Sequence, residues 1–351
     1  MSAWFGRLQL AAFAACFIAV SLPGCDRISK EPSLDKTASL PAMRTHCVGR
    51  YLIDLPADFE QMLASDVELT YGLDKNFRTV NVKVLRAAGP QPSFDSIVTK
   101  RASQLAAEYH FEAPSKSMLA FQQRLSDHIA LVRSYESPDM LGSYRSEYFA
   151  QHGAAVAVFT DRVFTDEATE PIEAKILKVV ERTSFVPAPD QAGRGTCLGP
   201  LLIDAGQDGE RFMLAFRAKS VPDVLIEINM NSMLAKSDGG LLKRWDSKAG
   251  MLSKLDFQSS TLRRGTVAVG GMPGEELLSK GKDQGHVVRG FTAEALQTKP
   301  ATFSTPSLAI SMNMGGQLES SDYVDASWSD DGAMAIWDAI VKSIRPRPGA
   351  V

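Results

Sequence analysis

The side chains of this sequence that could do chemistry are few, and their spacing works against it. Glu275-Glu276, in Gly270-Gly271-Met272-Pro273-Gly274-Glu275-Glu276, is an acidic pair that could divide general acid and base work. Consecutive residues rarely converge on one substrate, so the segment reads as a tight turn after a strand from Thr266 to Val269, followed by an outward acidic patch. Asp127-His128 could be a base beside its orienting carboxylate, but neighbours along a strand point to opposite faces. The remaining histidines, His46, His110, His152 and His286, are scattered, and no His pair stands at helical spacing. CxxC, HExxH, G-x-S-x-G, the P-loop and the dinucleotide-binding glycine fingerprint are all missing. The expectation is a protein without catalytic residues, metal or cofactor. Lys100-Arg101 and Lys243-Arg244 then read as solvated faces of helices rather than as an anion site.

Cysteine carries a clearer signal. Residues 1–21 hold one positive charge, Arg7, and an apolar run from Leu8 to Val20 broken only by Gln9. That run is too short to span a bilayer and suits the core of a signal peptide. It ends in Leu22-Pro23-Gly24-Cys25, which resembles a bacterial lipobox. Cleavage between Gly24 and Cys25 and acylation of the Cys25 thiol would leave a lipoprotein of the cell envelope. Asp26 resembles an inner-membrane retention signal, and the polar segment 25–44 suits a flexible tether. Cys16 leaves with residues 1–24, so Cys47 and Cys197 are the two cysteines of the mature body. In an oxidising compartment they could form a disulfide; equally, each could be a small buried apolar residue in its own strand.

Those two cysteines head the same pattern. Cys47-Val48-Gly49-Arg50-Tyr51-Leu52-Ile53-Asp54 recurs as Cys197-Leu198-Gly199-Pro200-Leu201-Leu202-Ile203-Asp204, giving C-x-G-x-x-L-I-D twice at a spacing of 150. The residues after each copy correspond too. Alternation at Val80, Val82 and Val84, and at Val224, Ile226 and Ile228, marks a half-buried strand in each. A helix stripe comes next: Phe94, Ile97, Val98, Ala102 and Leu105 after the candidate cap Ser93, then Leu242, Trp245, Ala249 and Leu252. Tyr144 to Phe159 answers to His286–Ala295 and Leu308–Met314, and a closing helix carries Ile176, Val179 and Val180 or Trp337, Ile340 and Val341. Pro187 and Pro346 stop those helices. The reading is an α+β protein of two tandem, duplicated domains, 45–186 and 195–346. Each is a mainly antiparallel sheet with two amphipathic helices, and a linker at 187–194 joins them. Each octapeptide is expected to be the first strand of its domain.

The whole sequence has 38 basic and 41 acidic side chains; losing Arg7 with the leader leaves 37 against 41, a net charge of −4. That balance gives no reason to expect nucleic acid as a partner.

The double C-x-G-x-x-L-I-D, the G-x-P-G-E-E turn and the lipobox leader together resemble the immunity proteins that guard against the fourth family of type VI secreted lipase effectors. The likeness covers nearly the whole mature chain. It implies a two-domain periplasmic lipoprotein that binds a cognate phospholipase toxin and clamps or occludes its lid and substrate entrance, with no chemistry of its own. An envelope scaffold or assembly lipoprotein is the alternative, and an enzyme acting on lipid or glycan is the third reading. The sequence does not identify the toxin-contacting residues.

Overall fold

The computed structural model describes residues 40–63, 65–73, 77–111, 113–164, 169–237, 239–252 and 259–351. The expected cleavage and acylation site Gly24-Cys25, with Asp26 and residues 25–39 of the tether, lies outside the described residues.

The first half runs β1 (Met43–Gly49), β2 (Tyr51–Pro56), β3 (Phe59–Gln61), β4 (Asp66–Tyr71), β5 (Arg78–Arg86), α1 (Phe94–Ala107), β6 (Leu119–Ser126), β7 (Ile129–Ser137), β8 (Met140–His152), β9 (Ala155–Phe164), α2 (Thr169–Glu181) and β10 (Thr183–Phe185). The second runs β11 (Thr196–Leu198), β12 (Leu201–Ile203), β13 (Gly209–Ala218), β14 (Val224–Asn231), α3 (Leu241–Leu252), β15 (Ser259–Val269), β16 (Met272–Asp283), β17 (His286–Ala295), β18 (Ser307–Met314), β19 (Gly316–Gln317), β20 (Tyr323–Val324), α4 (Asp330–Ser343) and β21 (Arg345–Pro346). A 3-10 turn at Pro189–Gln191 lies between them. The class is α+β.

Local sequence accounts for the main elements. Along β5, Val80, Val82 and Val84 are buried while Asn81 and Lys83 are exposed, the period of two that a one-sided core requires. The Ser93 side chain accepts from Ser96 N–H and opens α1, and Ser329 accepts from Gly332 N–H and opens α4.

The octapeptide is a hairpin rather than a single strand, which corrects the expectation of one strand per copy. Val48 pairs with Tyr51 and Leu198 with Leu201, so each copy reverses in two residues. Gly49 and Gly199, both at φ +58°, occupy the first turn position, where a type II′ hairpin needs glycine. The prolines also act later than expected. Both closing helices end before them, and the short strands β10 and β21 come between helix and proline or include the proline.

Among the described residues two large sheets hold the fold, and β19 with β20 forms a separate two-stranded ribbon. The larger runs β15-β16-β17-β18-β14-β13-β4-β5-β9-β8-β7-β6, with β3 also paired to β13; the smaller runs β10-β12-β11-β1-β2-β21. Residues 45–186 and 195–346 therefore contribute to the same two sheets. Both orders read alike from either end when the halves are exchanged: β4 answers to β13, β5 to β14, β9 to β18, and β1 to β11. The connections 296–306 and 315–329 of the second half are longer than their counterparts 153–154 and 165–168, so Trp337 of α4 stands 161 residues after its counterpart Ile176 of α2, against 150 between the two cysteines.

The principal core lies between the large sheet, the small sheet and helices α2 and α4, where Phe59, Phe159, Phe216, Phe291 and Trp337 are fully buried. A second cluster packs α1, through Phe94, Val98 and Leu105, on the opposite face of β7, β8 and β9. A third, small cluster holds Cys47, Leu52, Ala192, Cys197 and Leu202.

Candidate functional site

None of the histidines is brought into a shared site. His46 sits edge-on to Phe216 at 5.1 Å, His110 is fully buried against Tyr135, and His152 lies against Phe159. His128 falls in the turn between β6 and β7, not in a strand, and His286 stacks on Tyr323 beside Asp325. Among the described residues no group of three or more His, Cys, Asp or Glu could hold a metal ion.

The Glu275-Glu276 pair resolves into two structural roles, and the outward acidic patch expected there is corrected. Alternation along β16 sends the two carboxylates to opposite faces. Glu275 accepts the Leu242 N–H at 2.9 Å and so caps the start of α3. Glu276 is buried, accepts the Trp337 indole N–H at 3.0 Å, and ion-pairs with Arg263 at 2.8 Å. Arg263 also binds Asp338, and both acceptors raise its pKa. Arg101 is likewise more than a solvated cation, since it pairs with Glu147 of β8 at 2.8 Å.

Cys47 and Cys197 are joined by a disulfide, with Cα atoms 5.8 Å apart. Beside it, Arg44, His46, Leu63, Pro187 and Gly199 line a cleft of about 680 Å³. Burial, with Arg44 adding to it against a small opposing effect of Asp54, lowers the His46 pKa to about 4.

A surface that could take a partner is the face of the large sheet turned away from the principal core. Cross-strand pairing traces it across both halves: Val158 faces Lys83, Lys83 faces Asp66, Asp66 faces Met213, Met213 faces Asn229, and the row continues through Ala309 and Glu294 to Glu275. At one end of this face α1 packs on β6, β7 and β8, and at the other α3 packs on β16. Seven strands lie between, β9, β5, β4, β13, β14, β18 and β17, a width of about 30 Å at sheet spacing. Lys83, Asp66, Met213 and Asn229 are exposed there.

Each end of this face has a recess. Beside α1 a cleft of about 660 Å³ is lined by Phe77, Lys83, Glu136, Arg145, Arg162 and Phe164, among others. Glu136 accepts from Arg145 and Arg162, each at 2.9 Å; burial alone would raise its pKa, and these two bonds outweigh it and hold it low. At the start of α3 a recess of about 400 Å³ is lined by Leu234, Ser237, Gly240, Arg244 and Glu294. Such an arrangement can seat a partner, and among the described residues it holds no nucleophile against a base.

Phe77 and Phe164 are not singled out by the motifs, although their phase along the strands carries a signal. Phe77 is out of phase with the inward Val80, Val82 and Val84, and Phe164 is out of phase with the inward Phe159 and Val163, so both must point outward.

Comparison with known proteins supplies the family context. Residues 189–349 match the family model described as the Tle cognate immunity protein 4 C-terminal domain. The apo structure of the immunity protein TplEi of T6SS from Pseudomonas aeruginosa superposes with a TM-score of 0.64 at 24% identity, covering 91% of this chain and all of that one. The crystal structure of a Tle4–Tli4 complex gives 0.63 at 24%, covering 88% and 98%. TplEi complexed with an "L" peptide gives 0.58 at 25%, covering 87% and 98%. No curated protein sequence matches.

Proposed function

We propose that this chain, an immunity protein of the Tle-cognate family 4 with its C-terminal domain at residues 189–349, neutralises a type VI secreted phospholipase by binding it across the open face of the large sheet. The protein is an inhibitor and not an enzyme. The observation that carries the binding mode is the continuous row from Val158 to Glu275, which places both recesses on one face of one sheet built from both halves. A partner lying between α1 and α3 would touch both halves at once, and two linked modest contacts hold more tightly than either alone. Occlusion suffices for inhibition, because a lipase must open a lid over its acyl site to turn over. A body held over the lid or entrance blocks that step without chemistry.

The site of action in this proposal is the periplasm, with Cys25 as the acyl anchor and Gly24-Cys25 as the cleavage point. Among the described residues no helix is long and apolar enough to cross a membrane. The experiment is co-purification of the full chain with the lipase encoded beside its gene, together with growth of cells that express that lipase in the periplasm. One-to-one complex formation and rescue of growth are expected. Absence of both sinks the proposal.

A further inference from the structure

The two halves share a topology but differ in what they expose. Of the thirteen large apolar side chains exposed among the described residues, ten lie before the linker. Scattered singly they would need no explanation; several gather at one end of the first half. Phe77, 62% exposed, stands before β5, and Phe164, 45% exposed, ends β9; both line the cleft beside α1. Ser143 of β8 pairs with Phe164, which brings the β7–β8 turn and Met140 to the same end. The Phe111 N–H donates to the Pro138 carbonyl in that turn, so Phe111, 75% exposed, joins them.

The corresponding face of the second half is different. Glu227 faces Ser311, which faces Thr292, and Leu225 faces Asn313, which faces Gly290. Among the described residues no aromatic ring stands in these two rows, and at the end that matches Phe77 and Phe164 the second half places Tyr323 stacked on His286, both half-buried rather than exposed.

We infer that the aromatic end of the first half is the surface that selects the cognate effector, and that its occupant is an apolar segment of that effector. This rests on the inhibitory function proposed above and assigns it unequally to the two halves. Aromatic, methionine and arginine side chains together are the composition of energetic anchors at protein interfaces. Charge argues against a lipid surface as the occupant. The cleft lining carries four acidic side chains, Asp66, Glu136, Glu147 and Asp161, against four basic ones, Arg78, Lys83, Arg145 and Arg162. Glu136 is already bound to Arg145 and Arg162, and Glu147 to Arg101. Counting Arg101 with the lining, cations exceed carboxylates by one, far short of the basic cluster that draws anionic headgroups. What the rim offers is ring area next to guanidinium groups whose charge is satisfied within the chain, which suits apolar protein side chains.

The test measures the affinity of the full chain, carrying Cys25→Ser so that no acyl group contributes, for the purified lipase encoded beside its gene. Phe77→Ala combined with Phe164→Ala is expected to weaken binding about 100-fold, while thermal melting stays that of the parent. Met213→Ala combined with Leu234→Ala, on the second half's part of the same face, is expected to weaken binding only about fivefold, well short of the aromatic pair. Phe111→Ala gives an independent reading at the same end, with about tenfold weakening expected. If the parent binds and the aromatic variants bind within threefold of it, the inference is overturned and the proposed function stands. If the parent itself does not bind, both fall. If the variants keep their affinity for the lipase but lose co-sedimentation with phosphatidylglycerol vesicles, the end meets lipid and the inference is overturned.

Discussion

Val48 and Leu198 face each other across the antiparallel ladder of β1 and β11, and they are the same position in the two copies of the octapeptide. Exchanging the halves returns this pair to itself. A pseudo-twofold axis therefore passes between them, and the neighbouring pair Gly49–Cys197 lies just off it. Equivalent residues meet only near such an axis, which is why cysteines at matching positions of the two halves can bridge to each other.

Breaking that bridge should cost stability that grows with the logarithm of the loop it closes. Cys47 and Cys197 are 150 residues apart, and the chain-entropy account gives about 5 kcal/mol for so long a loop. The paired sheets already restrain both ends, so Cys47→Ala combined with Cys197→Ala is expected to lose about 2–4 kcal/mol in urea unfolding. The parent should show thiols at these positions only after reduction. Identical midpoints with and without reductant would count against the bridge as a stabilising link.

The two motif glycines share a backbone angle, and their surroundings separate them. A Cβ at Gly49 would stand 2.1 Å from the Phe212 ring, whereas one at Gly199 would meet nothing nearer than Gln61 Oε1 at 3.4 Å. Gly199→Ala should therefore lose only the strain of its left-handed backbone, about 1 kcal/mol. Gly49→Ala adds displacement of a buried ring and should lose about 3 kcal/mol or more. Equal losses in parallel denaturation curves would refute the difference.

The matching order of hairpins and helices in the two halves was legible because each element carries its own local pattern, and the Val80-Val82-Val84 alternation and the Ser93 cap are visible directly in residue types. The joining of the halves was not legible. That β4 pairs with β13, and β1 with β11, is a non-local relation between strands, and a hydrophobic period carries no information about which strand lies alongside. Glu276 was misread for a related reason: only the fold brings Trp337 and Arg263 to a carboxylate that otherwise looks like surface. The aromatic end was half-legible, since phase along β5 and β9 shows that Phe77 and Phe164 point outward but not that they lie at one end of one face.

Glu276 should be among the costlier polar residues to remove. Glu276→Ala leaves the indole N–H of the fully buried Trp337 without its acceptor and Arg263 with Asp338 alone, a loss of about 2–4 kcal/mol. Glu276→Gln keeps an acceptor and should lose about half as much. Glu275→Gln keeps an oxygen for the Leu242 N–H at the start of α3 and should lose under about 1 kcal/mol. Urea midpoints that rank Glu275→Gln below Glu276→Ala would contradict these roles.

His46 sets an acid dependence that can be isolated from the carboxylates. Its pKa is lowered to about 4 by burial, with Arg44 contributing in the same direction. Between pH 6.5 and about 4 the unfolded chain takes a proton that the folded protein refuses, so stability rises with pH across that window. The contribution is complete above pH 6.5, shrinks as the pH falls toward 4, and changes no further below that. The full difference corresponds to about 3 kcal/mol, of which about 1–2 should survive the partial exposure of the ring. Glu136 and Asp330 are held low by arginine and lysine partners despite opposing burial, and they lose their contributions at more acid pH. His152, also lowered by burial, titrates in any variant and cancels in a difference. Replacing His46 by Phe keeps an aromatic edge on Phe216 and removes the titration. Unfolding free energies at pH 7.5 and 4.5 should then fall by about 1–2 kcal/mol less in His46→Phe than in the parent; equal falls would mean that the folded protein accepts the proton on His46 as readily as the unfolded chain does.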